Sequence, residues 1–335
     1  MDKSGISILL PFKNTAEFLP ECIQSIIEQS YDNWEILAVN DHSTDLSPNI
    51  MHSYAKKDSR IKVLENDGNG IIEALRTAYS RSKGSFITRM DSDDIMSPNK
   101  LEIMVNSLRH HGEGHVAIGK VKYFSKDGVG GGYKSYEKWL NRLTEKGLNY
   151  LEIYKECVIP SPCWMVTRKD LERAGSFTPN RYPEDYDLAF RFYEAGLNCI
   201  PCNEILLYWR DYGHRTSRTS EHYAQNYFLD LKLTYFLKLD HDIQRPLILW
   251  GAGNKGKKLA KNLLKKKIAF TWVCNNANKI GLEIYGQKMY HYLALNEVQK
   301  AQILITVANK EAQEFIKDYL FAQGKKPVQD YFFFC

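Results

Sequence analysis

Ser85-Phe86-Ile87-Thr88-Arg89-Met90-Asp91-Ser92-Asp93-Asp94 is an apolar run, opened by Gly84, that ends in three carboxylates within four residues. The run reads as a buried strand, which places the acids at a strand end. Carboxylates this close repel one another and are costly to desolvate. A divalent cation removes that cost, and hard oxygen ligands are what Mg²⁺ or Mn²⁺ prefer. Mg²⁺ held by one or two carboxylates completes its shell with water and substrate phosphates, so the loop suits one half of a metal-diphosphate site. The competing reading is a helix N-terminus. Ser92 or Asp93 would then cap the helix that starts near Pro98, with the acids favouring its dipole. The stretch alone leaves both open.

Around it, the first half of the chain alternates strand and helix. Strands are expected over 6–11, 34–40, 61–65 and 85–90, and helices over 16–30, 47–57 and 71–82. Alternation of this kind implies an α/β fold with a parallel sheet covered on both faces. In such sheets ligands bind beyond the carboxyl ends of the strands, where strand order reverses. Three strand ends carry polar clusters: Lys13-Asn14, Asp41-His42-Ser43-Thr44-Asp45 and the acidic loop. They are expected to converge on one crevice. Further helical spacing covers 133–154 and 184–195, with strand-like runs at 163–167 and 205–209. A long aromatic-rich helix is expected over 221–239 and a break over 240–246, after which a second, smaller strand-turn-helix unit begins at Leu247. The expected domains are therefore 1–238 and 246–335.

With 335 residues, 44% of them hydrophobic, the chain is long enough for two domains with full cores. The net charge of +5 is modest, and Lys and Arg are mostly scattered among Asp and Glu, so composition gives no argument for nucleic acid. Met1-Asp2-Lys3-Ser4-Gly5 leads straight into strand-like residues, so no signal peptide is expected, and no apolar stretch is long enough to span a bilayer. Seven dispersed cysteines fit a reducing, cytoplasmic setting. Cys199 and Cys202 have a metal-like spacing but no second pair, and read as two cysteines packed beside a strand.

Three constellations carry chemistry. Asp41, directly at a strand end, is placed to accept from the N–H of a base or a ribose hydroxyl, while Ser43, Thr44 and Asp45 also suit a turn. Arg181-Tyr182-Pro183-Glu184-Asp185-Tyr186-Asp187 opens a helix with two adjacent carboxylates. That arrangement suits a general base, or simply acids favouring the helix dipole. Trp209-Arg210-Asp211-Tyr212-Gly213-His214-Arg215-Thr216-Ser217-Arg218 sets one imidazole among three guanidinium groups, a combination suited to phosphate or a metal.

In order and spacing these motifs resemble a family 2 glycosyltransferase of the GT-A fold across the first domain. Leu10-Pro11-Phe12-Lys13-Asn14 resembles the opening strand and turn that abut the nucleotide. Val39-Asn40-Asp41-His42-Ser43-Thr44-Asp45 resembles the nucleotide-binding stretch, with Asp41 at the uracil-contacting acid. Gly68-Asn69-Gly70, Gly84 and Met90-Asp91-Ser92-Asp93-Asp94, continued by Ser97-Pro98-Asn99-Lys100-Leu101, resemble the run into the D-x-D metal motif. Pro183-Glu184-Asp185-Tyr186-Asp187-Leu188 resembles the element that carries the catalytic base. Tyr208-Trp209-Arg210 with His214 and Ser217 resembles the closing element whose His completes the metal shell. Three positions depart from the pattern. Asn40 replaces the first acid of the usual pair, Arg76 lies where many relatives have Asn, and His214 sits one residue further from Arg210 than is common.

The resemblance implies a metal-dependent, inverting transfer of sugar from a nucleotide-sugar donor, most simply a UDP-sugar, to a hydroxyl of a glycan or lipid-linked acceptor. The setting it implies is cell-surface polysaccharide or glycoconjugate synthesis. Asp185 would be the base, with Glu184 second. Pro11, Asn14, Asp41, Arg76, Asp91, Ser92 and Arg210 would bind the donor. Asp93, Asp91 and His214 would hold Mg²⁺ or Mn²⁺, supported by Asp94. A sugar nucleotidylyltransferase is the alternative enzyme, but it needs a glycine- and arginine-rich loop where Pro11-Phe12-Lys13-Asn14-Thr15-Ala16 stands. A non-catalytic nucleotide-binding regulator is the alternative outside enzymes.

In the second unit, Gly251-Ala252-Gly253-Asn254-Lys255-Gly256 follows a strand and opens a helix, as a dinucleotide fingerprint does. Gly251, Gly253 and Gly256 therefore mark a second nucleotide site or a turn kept for packing. NAD is disfavoured, because the next strand ends in Cys274-Asn275-Asn276 without the acid that holds a ribose. The lysines from Lys257 to Lys267 suit either a solvated face or the anionic inner face of a membrane. Peripheral membrane association and a homo-oligomer both stay open.

Overall fold

All seven residues of β1 (Ile6–Phe12) are buried, as a strand covered on both faces requires. A computed structural model describes residues 5–213, 215 and 228–335. In its larger sheet, β1 lies between parallel neighbours β2 (Trp34–Asn40) and β4 (Phe86–Arg89), and β3 (Ile61–Glu65) pairs with β2. Ile6, Ile8, Leu10 and Phe12 share one core with Leu19, Cys22, Ile23 and Ile26 of α1 (Leu19–Ile27). Those four recur at helical spacing, and Pro20 stands in the first turn, where its missing N–H costs nothing. α2 (Ser47–Ala55) packs against β3, and α3 (Ile71–Arg81) packs on β1 and β2. Strand order turns around at β1, so the carboxyl ends of β1, β2 and β4 open on a common crevice.

Beyond β4 the sheet becomes mixed. Its full order is β3-β2-β1-β4-β7-β6-β8-β5, with β5 (Ile95–Met96), β6 (His115–Phe124), β7 (Trp164–Thr167) and β8 (Asn198–Arg210). β7 runs antiparallel to β4 and β6, while β6 and β8 are parallel. β5 pairs antiparallel with β8, Ile95 against Tyr208 and Met96 against Leu207. Residues 91–94 are thereby strung between the end of β4 and the end of β8. This decides against the helix-cap reading of the acidic loop. α4 (Lys100–His111) starts after Asn99, without a side-chain cap, and β5 separates it from Ser92 and Asp93.

Three further expectations are revised. Residues 115–124 form a ten-residue strand that the sequence reading passed over. The helix expected over 133–154 is α5 (Gly131–Glu145) and stops ahead of Gly147, whose φ of 63° leaves the helical region. The strand expected over 205–209 begins earlier, so Cys199 and Cys202 lie within it, and none of the seven cysteines forms a disulfide. α6 (Arg168–Arg173) and α7 (Glu184–Glu194) complete this part of the chain.

The chain folds as two compact units, one from the described residues of 1–149 and 158–219, the other from those of 150–157 and 220–335. α8 (Leu229–Leu239) groups with the second unit, so the division falls ahead of this helix rather than at 238–246. The reason is aromatic packing: Phe236 stands edge-on to Tyr154, Phe332 and Phe334. Of the helix expected over 221–239, residues 221–227 lie outside the described residues.

The second sheet has the order β11-β12-β10-β9-β13-β14. Its strands are β9 (Leu247–Trp250), β10 (Thr271–Cys274), β11 (Glu283–Ile284), β12 (Gln287–His291), β13 (Gln302–Ile305) and β14 (Tyr331–Phe333), all parallel except the β11–β12 hairpin. α9 (Asn254–Lys265) follows β9 and α10 (Lys310–Ala322) follows β13. Among the described residues no helix is long and apolar enough to cross a membrane.

Candidate active site

The crevice begins at Asp41, on the residue after β2. Its backbone N–H donates to the carbonyl of Phe12 at the end of β1. Oδ1 accepts from Asn66 Nδ2 (2.7 Å) and from the N–H of Gly70 (2.9 Å), and Oδ2 accepts from Lys13 Nζ (3.1 Å). Burial opposes this charge, but the bonds from Gly70, Asn66 and Lys13 outweigh it and hold Asp41 below its usual range. Asn40, at the position of the missing acid, is tied by its amide to Glu65 and by its carbonyl oxygen to the N–H of Ser43. Asn14 is built into the same turn, with its N–H on Ser43 Oγ and its Oδ1 accepting from the N–H of Thr44. Asp45 accepts from the N–H groups of Ala16 and Ser47, which is the turn role expected of it.

Thr15 joins this turn to the acidic loop. Its N–H donates to Ser47 Oγ, and its hydroxyl lies 3.0 Å from that of Ser92. Beyond Ser92 the three acids have different surroundings. Asp91 accepts from Arg89 Nε at 2.8 Å. Asp93 accepts from the Tyr212 hydroxyl at 2.9 Å. Asp94 is fully buried: Oδ1 accepts from the N–H of Arg210, and Oδ2 has no partner among the described residues. Burial pushes both Asp93 and Asp94 upward, and the neighbouring carboxylates add to it. The Arg215 charge pulls the other way without cancelling either.

Arg89, at the last position of β4, links this loop to α7. Its Nη1 donates to Glu184 Oε1 at 2.8 Å while its Nε holds Asp91. Glu184 Oε2 is buried and has no partner among the described residues. Among the described residues the Asp185 side chain accepts only from the N–H of Tyr186, and it is pushed up to about 7 by burial and by the Glu184 charge, with Arg89 drawing it down. Asp187, the third acid of the motif, is buried against Arg191 and Arg181. Arg191 carries on to the carbonyls of Ala174 and Ser176, so Asp187 fastens the helix to the loop before it.

The structure thus gathers Asn14, Asp41, Asp91, Ser92, Asp93, Glu184 and Asp185 along linked elements of one sheet edge. Pro11 lies inside β1, paired in register with Val39. Arg76 is engaged elsewhere: its guanidinium donates to the carbonyls of Phe177 and Thr178 and pairs with Glu73. Arg210 is a brace for the acidic loop. It reaches the carbonyl of Asp93 through Nε and Glu21 through Nη2, between the rings of Phe18 and Phe124. His214 and Ser217 lie outside the described residues. Among the described residues no group of three or more His, Cys, Asp or Glu is set to hold a metal by itself.

Sequence reasoning missed Arg89, Asn66 and Tyr212. A signal for Arg89 existed, since a cation at the buried end of an apolar strand needs a paired anion.

In the second unit two of the three glycines answer to packing. A Cβ on Gly256 would lie 2.1 Å from the carbonyl oxygen of Gly251, and one on Gly251 would lie 2.5 Å from Thr306 Oγ1. A Cβ on Gly253 would meet nothing within 4 Å. Asn275, after β10, holds Trp250 Nε1, and Lys279 Nζ donates to the carbonyl of Ala252.

The profile of Glycosyl transferase family 2 matches residues 7–175. Glycosyltransferase GlyG of Streptococcus pneumoniae is 30% identical over 216 residues, 61% of this chain and 70% of that protein. The Escherichia coli protein WfgD, named UDP-Glc:alpha-D-GlcNAc-diphosphoundecaprenol beta-1,3-glucosyltransferase, is 30% identical over 212 residues, 63% of this chain and 78% of its own length. Among solved structures, S. aureus TarS in complex with UDP-GlcNAc superimposes with a TM-score of 0.55 at 19% identity, covering 77% of this chain and 71% of that one.

Proposed function

The chain belongs to glycosyl transferase family 2, a glycosyltransferase whose larger unit has the GT-A type of sheet, and we propose that it moves a sugar from a UDP-sugar to an acceptor hydroxyl with Asp185 as the base. One observation carries this reading. Arg89 ties the acidic loop after β4 to Glu184, so donor-side carboxylates and a candidate base stand on either side of a single guanidinium. The likeness to WfgD supports a UDP-sugar donor and a lipid-linked glycan acceptor in polysaccharide synthesis.

On the donor side, Asp41 recognises the base. It stays ionised, and its Oδ2 keeps a lone pair beyond the one given to Lys13. Asp91 and Asp93 are the residues that would hold Mg²⁺ or Mn²⁺, with Asp94 behind them. Their surroundings fit a cation: Asp94 Oδ2 has no partner among the described residues, and burial and mutual repulsion raise Asp93 and Asp94 by more than the Arg215 charge offsets. A bound ion would neutralise charge developing on the departing diphosphate. Arg210 positions the acidic loop through the backbone of Asp93 and Asp94.

On the acceptor side, Asp185 takes the proton of the attacking hydroxyl. A base works best when its pKa lies near the operating pH, and burial beside Glu184 brings Asp185 to about 7. Arg89, paired with Glu184, partly offsets the Glu184 charge and keeps Asp185 from rising further. A single displacement of this kind inverts the anomeric carbon and requires no covalent nucleophile.

Calorimetry with UDP and Mn²⁺ tests the assignment. Asp93→Ala is expected to lose metal-dependent UDP affinity, whereas Asp185→Asn keeps it and stops transfer. Unchanged metal-dependent affinity in Asp93→Ala would overturn the donor site. A screen for slow donor hydrolysis over nucleotide sugars, with Mg²⁺ and with Mn²⁺, identifies the sugar without knowledge of the acceptor.

A further inference from the structure

Between Pro246 and Leu282 the chain carries eight lysines and not one Asp, Glu or Arg. The smaller unit arranges most of them along one helix. On α9, Leu259, Ala260 and Leu263 face the core, while Lys257, Lys261 and Lys265 recur every four residues on a single row. Lys261 and Lys265 are exposed, as are Lys266 and Lys267 just beyond the helix. Among the described residues, none of these five lysines has a carboxylate within ion-pair distance.

Strand register places an apolar ridge beside this row. Trp272 of β10 is in register with Met289 of β12, and across the hairpin Met289 stands opposite Leu282, to whose carbonyl its N–H donates. Residues in register project to the same face, so Leu282 lies on the face of Trp272. Tyr285, at the hairpin turn, stacks on Trp272 at 6.4 Å, and Lys261 Nζ sits 4.8 Å from the centre of the Tyr285 ring. Leu282 is 53% exposed and Tyr285 43%. Lys288 and Tyr290 alternate with Met289 on β12 and so belong to the other face.

We propose that this face of the smaller unit docks on the surface of an anionic lipid bilayer. The lysine row meets the headgroup phosphates, and Leu282 and Tyr285 enter the boundary between headgroups and acyl chains. Each Lys near such a surface adds to binding, and an adjoining aromatic and aliphatic pair anchors at that depth. Leu282 decides between a membrane and a nucleic acid, because an exposed aliphatic side chain gains from the acyl boundary and has no counterpart on a phosphate backbone. The proposal stands on the smaller unit alone and does not depend on the transfer reaction.

Sedimentation of the full chain with vesicles tests it, using phosphatidylcholine alone and phosphatidylcholine mixed equally with phosphatidylglycerol. Binding is expected to the mixed vesicles and to be released by high salt. The triple variant Lys261→Glu, Lys265→Glu, Lys266→Glu is expected to lower partitioning by on the order of a hundredfold. Leu282→Ser with Tyr285→Ser should weaken it at unchanged net charge. Circular dichroism and an unchanged unfolding temperature show that each variant is folded. Equal binding to both vesicle types, or binding indifferent to either variant, would overturn the proposal. So would tighter capture of an oligonucleotide than of vesicles at the same ionic strength, which would make the face a nucleic-acid surface.

Discussion

Glu184 and Asp185 are adjacent on the first turn of α7, yet Arg89 bonds only Glu184. Burial and the Glu184 charge then act on Asp185 and push it up to about 7. A base must be ionised, so kcat/KM should fall about tenfold per pH unit below that value, read from a pH–rate profile. The same shift has a cost in stability. A carboxyl raised above its unfolded value destabilises the fold increasingly as pH rises through the interval between the two. Asp185→Asn should therefore unfold at a higher temperature than the parent at pH 8, and the gain should shrink steadily as pH falls, vanishing only below about pH 4, where the carboxyl is protonated in the unfolded chain as well. Arg89 shows the opposite balance. Arg89→Ala leaves Asp91 and Glu184 without their shared cation, and urea denaturation should register a loss of about 3–5 kcal/mol. The acids of this site were legible as motifs because they are contiguous in sequence. The link from Arg89 to Glu184 was not, because the two are 95 positions apart and only folding brings them together.

At the level of elements, periodicity located most helices and strands of the first half, since each buries one face or both and its apolar spacing says so. β6 went unread although its outer half alternates lysines with buried residues, Lys120-Val121-Lys122-Tyr123, and glycines flank it at Gly112, Gly114 and Gly128, which together are a strand signal. The cap reading of Ser92 and Asp93 failed on β5, two residues too short to signal a strand in sequence, whose pairing with β8 holds the acidic loop away from α4. The glycine turn after β9 separates two roles that a motif cannot. Gly256→Ala drives a Cβ against the backbone carbonyl of Gly251, and a clash with backbone is not relieved by a rotamer change. It should cost about 1–3 kcal/mol, measured by thermal unfolding, and leave UDP affinity in calorimetry unchanged.

For the molecule as a whole, donor binding and stability are linked. A ligand that binds only the folded state stabilises it by mass action, so UDP with Mn²⁺ at a hundred times its Kd should add about 2.7 kcal/mol in scanning calorimetry. Asp93→Ala should abolish the upward shift. The sequence by itself determined that the chain is α/β, that polar clusters end three of its strands, and that a second strand-turn-helix unit follows. Those are properties of local spacing and of residue type, and they survive without knowledge of what touches what. Only the tertiary structure decided which charges share a site. The turn of strand order at β1 brings the ends of β1, β2 and β4 together. Arg89 then chooses between two neighbouring acids, Arg210 becomes a brace, and Arg76 is drawn to the carbonyls of Phe177 and Thr178. A buried charge goes where its counter-charge is, and that distance is set by strand pairing rather than by position along the chain.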